Sequence, residues 1–239
     1  RLLNVQTKDA DERKILNVVE EIAIASGTPV PEVYLLEDPA INAFAAGFKP
    51  QDAVIGITRG AIEQLNRDEL QGVIAHEFSH IFNGDMRLNI RLIGWLYGIT
   101  VIGLIGYYLM RGSRYGYSRS RNNKKDGIIF LGLGLLVVGY GGTFFGNLIK
   151  AAVSRQREFL ADASAVQFTR NPDGISGALK KIGGYTGGTH LAAANSAEIS
   201  HMLFGEGLRS NFFGLFATHP PLDKRIQRLD PSWKGGKHG

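Results

Sequence analysis

The sequence predicts a mainly helical α+β protein in which one domain with a small β-sheet is interrupted by an inserted two-helix transmembrane hairpin. Three observations carry this expectation. Apolar residues recur at helical spacing over much of the chain. Two short runs near the start, Val33–Leu36 and Ala53–Thr58, have strand character and are bounded by turn residues. Two longer stretches, Leu92–Met110 and Gly127–Ile149, contain no charged residue and bracket a short basic loop. At ~1.5 Å per residue, each can cross the roughly 30 Å hydrocarbon layer of a bilayer. The expected organisation is a domain made of residues 1–87 and 151–239, with the hairpin at 88–150 and its loop at 111–126.

Taken in order, residues 9–25 place Ile15, Val18, Val19 and Ile22 on one helical face, and Gly27 and Pro29 end the helix. The two strands follow, separated by the Asp38-Pro39 turn and by Ala40–Gly47, whose small residues let another backbone approach. Residues 59–83 form a short helix and then a longer one. Asn66 caps the longer helix, Glu69 reaches back as its capping-box partner, and Asn83-Gly84 supplies the stop. Gly72 leaves room for a neighbouring segment. Within the hairpin, Gly94/Gly98 and Gly142/Gly146 offer close helix contacts. Beyond it, Pro172–Tyr185 and Leu191–Phe204 read as helices, Phe212–Phe216 as an apolar patch and Leu222–Leu229 as a last, basic helix.

The 239 residues carry a net charge of +5, which by itself invites a nucleic-acid partner. Its placement argues against one. Arg111, Arg114, Arg119, Arg121, Lys124 and Lys125 crowd into the hairpin loop, where such clusters face lipid headgroups. The count of 0 cysteines excludes a disulfide framework, a thiolate metal site and a cysteine nucleophile.

The chemistry concentrates in His76-Glu77-Phe78-Ser79-His80. Residues four apart on a helix share a face, so both imidazoles can turn toward one ion. Glu77 projects beside them, where it can take a proton from a water. Two histidines leave a catalytic zinc one protein ligand short. The extended pattern with a third histidine further along the same segment fails, because Asn83 and Met86 occupy its positions. Glu158, His190, His201 and His219 remain as candidates. Glu158 is preferred, since Asp162 lies one helical turn on and can accept the spare ring proton of a ligating histidine.

These stretches resemble the HtpX-type membrane zinc endopeptidases of the gluzincin group. The likeness rests on Asn42–Gly47, Val73–His80, the apolar hairpin, Arg157–Ala163, and Thr218–Pro221 with Arg225. It implies a gluzincin-like catalytic domain holding one Zn2+ on His76, His80 and Glu158, with Glu77 as general base and Asp162 supporting a ligand. It also implies that Asn42, Ala43 and Phe44 form a substrate-binding edge, and that His219 and Arg225 steady the developing oxyanion. His190 and His201 have no counterpart and are expected to be structural. Polypeptides, above all misfolded or damaged membrane proteins, are the implied substrates. The family carries two further spans ahead of this region. With Arg1 in place of an initiating methionine, the expectation is a chain shortened at its start.

Two other classes compete: a metal transporter, and an inactive membrane scaffold. The first places such motifs within spans, whereas here the motif lies outside both apolar runs. The second has no need of Glu77. Basic residues flanking the spans (Arg87, Arg91, Lys150, Arg155, Arg157) nearly balance those of the hairpin loop, so charge leans only slightly toward a cytoplasmic loop. The resemblance implies a multi-pass inner-membrane protein with its protease domain on the cytoplasmic side.

Overall fold

The computed structural model describes residues 1–115, 123–185 and 220–234. The expected helix at 191–204, the patch at 212–216, residues 116–122 of the basic loop, and His190, His201 and His219 lie outside the described residues. The chain falls into two compact units, one formed by Arg1–Arg87 with Ser154–Gly239 and the other by Leu88–Val153.

In the first unit, α1 (Ala10–Ser26) starts where Asp9 accepts from the backbone N–H groups of Asp11 and Glu12, and ends at Gly27 with φ 67°. Strands β1 (Glu32–Leu36), β2 (Ala43–Ala46) and β3 (Val54–Thr58) make one sheet in the order β1-β3-β2. β3 is parallel to β1 and antiparallel to β2, with Gly56 opposite both Tyr34 and Phe44. β2 is a strand formed within the small-residue segment Ala40–Gly47, which carries no strand signal of its own. Its alanines carry little strand propensity, and pairing with β3 decides the outcome. Gly56 is needed here, because a Cβ at that position would lie 2.2 Å from the Phe44 ring.

The two edges of the sheet differ. The β1 edge is taken by the chain start, where Leu3 N–H donates to the Val33 carbonyl (2.8 Å) and Leu35 N–H to that of Arg1 (2.7 Å). Among the described residues, the β2 edge carries no further strand.

Helix α2 (Arg59–Gln64) leads into α3 (Arg67–Phe82), which opens with the expected capping box between Asn66 and Glu69. Ile15, Val18 and Ile22 of α1, Val33, Leu35, Ile55 and Ile57 of the sheet, and Leu70, Val73 and Ile74 of α3 form the core. Each such side chain contributes about 1.5–3 kcal/mol by burial. Helix α6 (Pro172–Tyr185) crosses α3 at its glycines: a Cβ on Gly72 would stand 2.5 Å from the Ile175 nitrogen. The room expected at Gly72 is thus filled by backbone. α7 (Leu222–Leu229) completes the unit and buries Ile226 and Arg225.

The second unit consists of long helical stretches of α4 (Asp85–Tyr115) and α5 (Asn123–Thr169). Both helices are long and apolar enough to cross a membrane. Their backbones come close at Gly103 and Gly139, where a Cβ on Gly139 would lie 2.2 Å from the Gly103 Cα. Gly142 and Gly146 do face α4, against Ile99 and Leu96, as their spacing predicts. Gly94 and Gly98 do not: nothing comes within 4 Å of a Cβ at either. In a span with glycines on several faces, the i, i+4 spacing alone does not identify the contact face.

Candidate metal centre

α3 carries its motif through the middle of the core rather than along a surface. Leu70, Val73, Ile74, Phe78 and Ile81 are buried on one side and the other, and His76 and Glu77 are buried with them. α5 supplies the opposing wall. Its small residues Ala161 and Ala165 are fully buried, which lets the helix come close enough to bring Glu158 and Asp162 inward.

The result is a group of three donors, His76, His80 and Glu158, with one ligand atom from each mutually within 4.8 Å. The Nε2 atoms of His76 and His80 are 3.2 Å apart. Glu158 Oε2 lies 3.6 Å from His76 Nε2, and Oε1 lies 3.5 Å from His80 Nε2. The edges of a tetrahedron with bonds of ~2.0–2.1 Å measure roughly 3.3–3.4 Å, so these separations suit a zinc-sized ion. The proton inventory points the same way. His76 Nδ1 is 2.9 Å from Asp162 Oδ1, and His80 Nδ1 is 2.6 Å from Asp85 Oδ2. Carboxylates accept, so each Nδ1 carries a hydrogen, and a neutral ring held this way turns its Nε2 lone pair toward a shared cation. The donor set fits a metal ion.

Asp162 is gripped from its other side by Arg225, whose Nε donates to Oδ2 (2.8 Å) and whose second guanidinium nitrogen donates to Oδ1 (2.6 Å). The remaining nitrogen is 3.2 Å from Glu158 Oε2. Burial opposes the ionised form of Asp162, but the charge of Arg225 and the bonds from His76 and Arg225 outweigh it and hold the carboxyl below its usual range. For His76, burial works against the charged ring, yet Asp162 and Glu158 push it up to about 9. The Arg225 guanidinium is fully buried and engaged with Asp162 and Glu158.

Glu77 faces the sheet edge. Its Oε2 accepts from the Ala45 backbone N–H at 3.1 Å. Burial raises the Glu77 carboxyl above its ordinary value, partly offset by His76, His80 and that N–H. The Ala45 contact follows from strand register. Thr58 N–H donates to the Asn42 carbonyl (3.0 Å). Antiparallel alternation then turns the peptide groups of Ala43 and Ala45 away from β3, toward the β2 edge. Of the residues expected to bind substrate, Asn42 is buried and anchored to Thr58 Oγ1 at 2.9 Å, Ala43 is buried, and Phe44 is half-buried over Gly56. His219 lies outside the described residues.

Asp85 and Ala45 were missed from sequence. Asp85 had a usable signal: His80 needs a partner for Nδ1 just as His76 does, and an acid just past a glycine stop is placed to fold back. Ala45 acts through its backbone, which leaves no mark in residue type.

A His-His-Glu donor set carried on two helices, with a buried acid between it and the β2 edge, is an arrangement that could hold a metal ion on an α+β frame. The chain belongs to peptidase family M48, whose model matches residues 9–232. It is similar to the "Protease HtpX homolog" of Dictyoglomus turgidum, 42% identical over 216 residues that cover 90% of this chain and 68% of that protein. The homologue from Streptococcus uberis is 39% identical over 219 residues, covering 89% of this chain and 71% of that protein. The crystal structure of S. mikatae Ste24p shares the fold, with a TM-score of 0.55 at 15% identity. The likeness takes in 96% of this chain but 51% of the Ste24p chain.

Proposed function

We propose that the chain is a zinc-dependent membrane endopeptidase, with His76, His80 and Glu158 as ligands and Glu77 as general base. The observation that carries this is the donor triad with Glu77 between it and the β2 edge. Zinc, when bound, supplies Lewis acidity and a water of lowered pKa. The chain's own residues do the rest. An extended polypeptide adds to β2 as a further strand, through the outward N–H and carbonyl of Ala43 and the carbonyl of Ala45, with Asn42 and Phe44 bracing that strand. Glu77, destabilised as an anion by burial, accepts the proton of the attacking water and delivers it to the leaving amine. The Ala45 N–H keeps its carboxylate aimed. Asp162, pinned by Arg225, fixes the His76 ring, and Arg225 also steadies Glu158. His219 keeps the oxyanion role that family resemblance gives it.

The two long apolar helices support a bilayer location, and the family resemblance adds a multi-pass protein of the inner membrane with its protease part toward the cytoplasm. Misfolded or damaged membrane proteins are the proposed substrates. The donor triad belongs to the unit that excludes Leu88–Val153, which disfavours a transporter. Glu77→Gln is the deciding variant. In detergent it should retain zinc at wild-type stoichiometry and lose cleavage of an unfolded protein such as casein by at least a hundredfold. Persisting cleavage would sink the assignment of Glu77. Protease accessibility on sealed vesicles tests the orientation.

A further inference from the structure

The two halves of the donor group are built alike, and only one half was visible in the motifs. On the His76 side, Nδ1 meets Asp162 and Asp162 meets Arg225. On the His80 side, Nδ1 meets Asp85 Oδ2 at 2.6 Å, and the guanidinium of Arg157 pairs with Asp85 Oδ1. Arg157 also donates to the Asn83 carbonyl at 3.0 Å, so it ties down the C-terminal end of α3 at the same time. Gly84, at φ 69°, turns the chain so that Asp85, the first residue of α4, comes back onto His80. Arg157 is the residue before Glu158 on α5. One ion pair therefore links the second donor to the segment that carries the third.

We propose that Asp85 and Arg157 are positioning residues for the metal centre, holding His80 with its Nε2 turned inward, as Asp162 and Arg225 hold His76. The proposal rests on His80 being a metal ligand. A ring hydrogen-bonded through Nδ1 to a carboxylate cannot flip or change tautomer without breaking that bond, and the carboxylate makes the opposite nitrogen a stronger donor. Asp85 by itself could swing away, since the backbone at 84 is a glycine turn. Arg157 restrains it through the ion pair with its other oxygen.

The test is zinc affinity of the whole chain in detergent, read by competition with a chromophoric chelator, beside melting of the zinc-free protein. Asp85→Ala is expected to weaken zinc binding about 10–100-fold. Asp85→Asn, which keeps an acceptor oxygen, should recover part of that loss, and Arg157→Ala should weaken binding while Arg157→Lys weakens it less. With Co2+ in place of zinc, Asp85→Ala should change the visible d–d spectrum, which a purely structural residue would leave as in the wild type. Wild-type affinity in Asp85→Ala overturns the proposal. So does an affinity loss matched by early melting of the zinc-free variant, with no recovery in Asp85→Asn. A wild-type chain that holds no zinc overturns the ligand assignment as well, so the two failures are told apart.

Discussion

At the scale of single residues, burial decides what each charge does. Arg225 is 2% exposed, with both of its carboxylate partners buried as well. Removing it strands two acids in the interior, so Arg225→Ala should cost about 3–5 kcal/mol in denaturant unfolding, and Arg225→Lys, without the bidentate fork, should recover only part. His76 gives a pH signature. An unfolded imidazole titrates near ~6.5, whereas in the metal-free fold Asp162 and Glu158 overcome burial and raise it to about 9. The folded-state pKa is the higher one. Its stabilising contribution is therefore whole below the unfolded value, declines as pH rises, and is lost once pH passes the folded value. Melts in chelator should show stability falling between roughly pH 6.5 and 9 relative to His76→Gln, and a flat difference would refute the assignment. His76, Glu77, His80, Glu158 and Asp162 could be singled out in the sequence because their residue types and spacings carry the chemistry. Asp85 went unplaced although the expected stop at Gly84 offered a signal, because nothing in its residue type ties it to His80 until the turn is seen.

Elements explain which parts of the fold were legible. Helices α1 and α3 announce themselves by apolar period and end signals: α1 stops at Gly27 and α3 starts at Asn66 as expected, while Asp9, expected inside α1, proves to be its N-cap. β2 did not, because Ala43–Ala46 becomes a strand only by pairing with β3. The same contrast predicts how the elements fail. Asn66→Ala should cost about 1 kcal/mol, the worth of an N-cap. Gly84→Ala, forced into the left-handed region at φ 69° with open space around its Cβ, should cost about 1–2 kcal/mol, from backbone strain alone. Gly72→Ala should cost more than either, since its Cβ would meet the Ile175 backbone at 2.5 Å and α6 would have to retreat. Equilibrium unfolding of the three variants ranks them, and a Gly72→Ala protein as stable as wild type would contradict the close crossing.

For the molecule as a whole, the donor group is the point where distant parts of one unit meet. His76 and His80 come from α3 and Glu158 from α5, so a shared ion closes a long loop of chain. An ion that binds only the folded state stabilises it by mass action, by about 4 kcal/mol when its concentration is a thousandfold above its dissociation constant. Chelation should therefore lower the melting temperature, and zinc titrated back should restore it in a concentration-dependent way. The effect belongs to the unit that owns the donors. Amide exchange on chelation should quicken in α3 and in the part of α5 around Glu158. In the Leu88–Val153 unit, Gly103 meets Gly139, and Thr100 meets Thr143 at 3.0 Å, without any metal. Exchange there should stay unchanged. In His76→Ala the chelator should have no further effect on α3, because one donor and the Asp162 contact are already gone. Quickening confined to the hairpin, with α3 untouched, would show that these residues hold no ion.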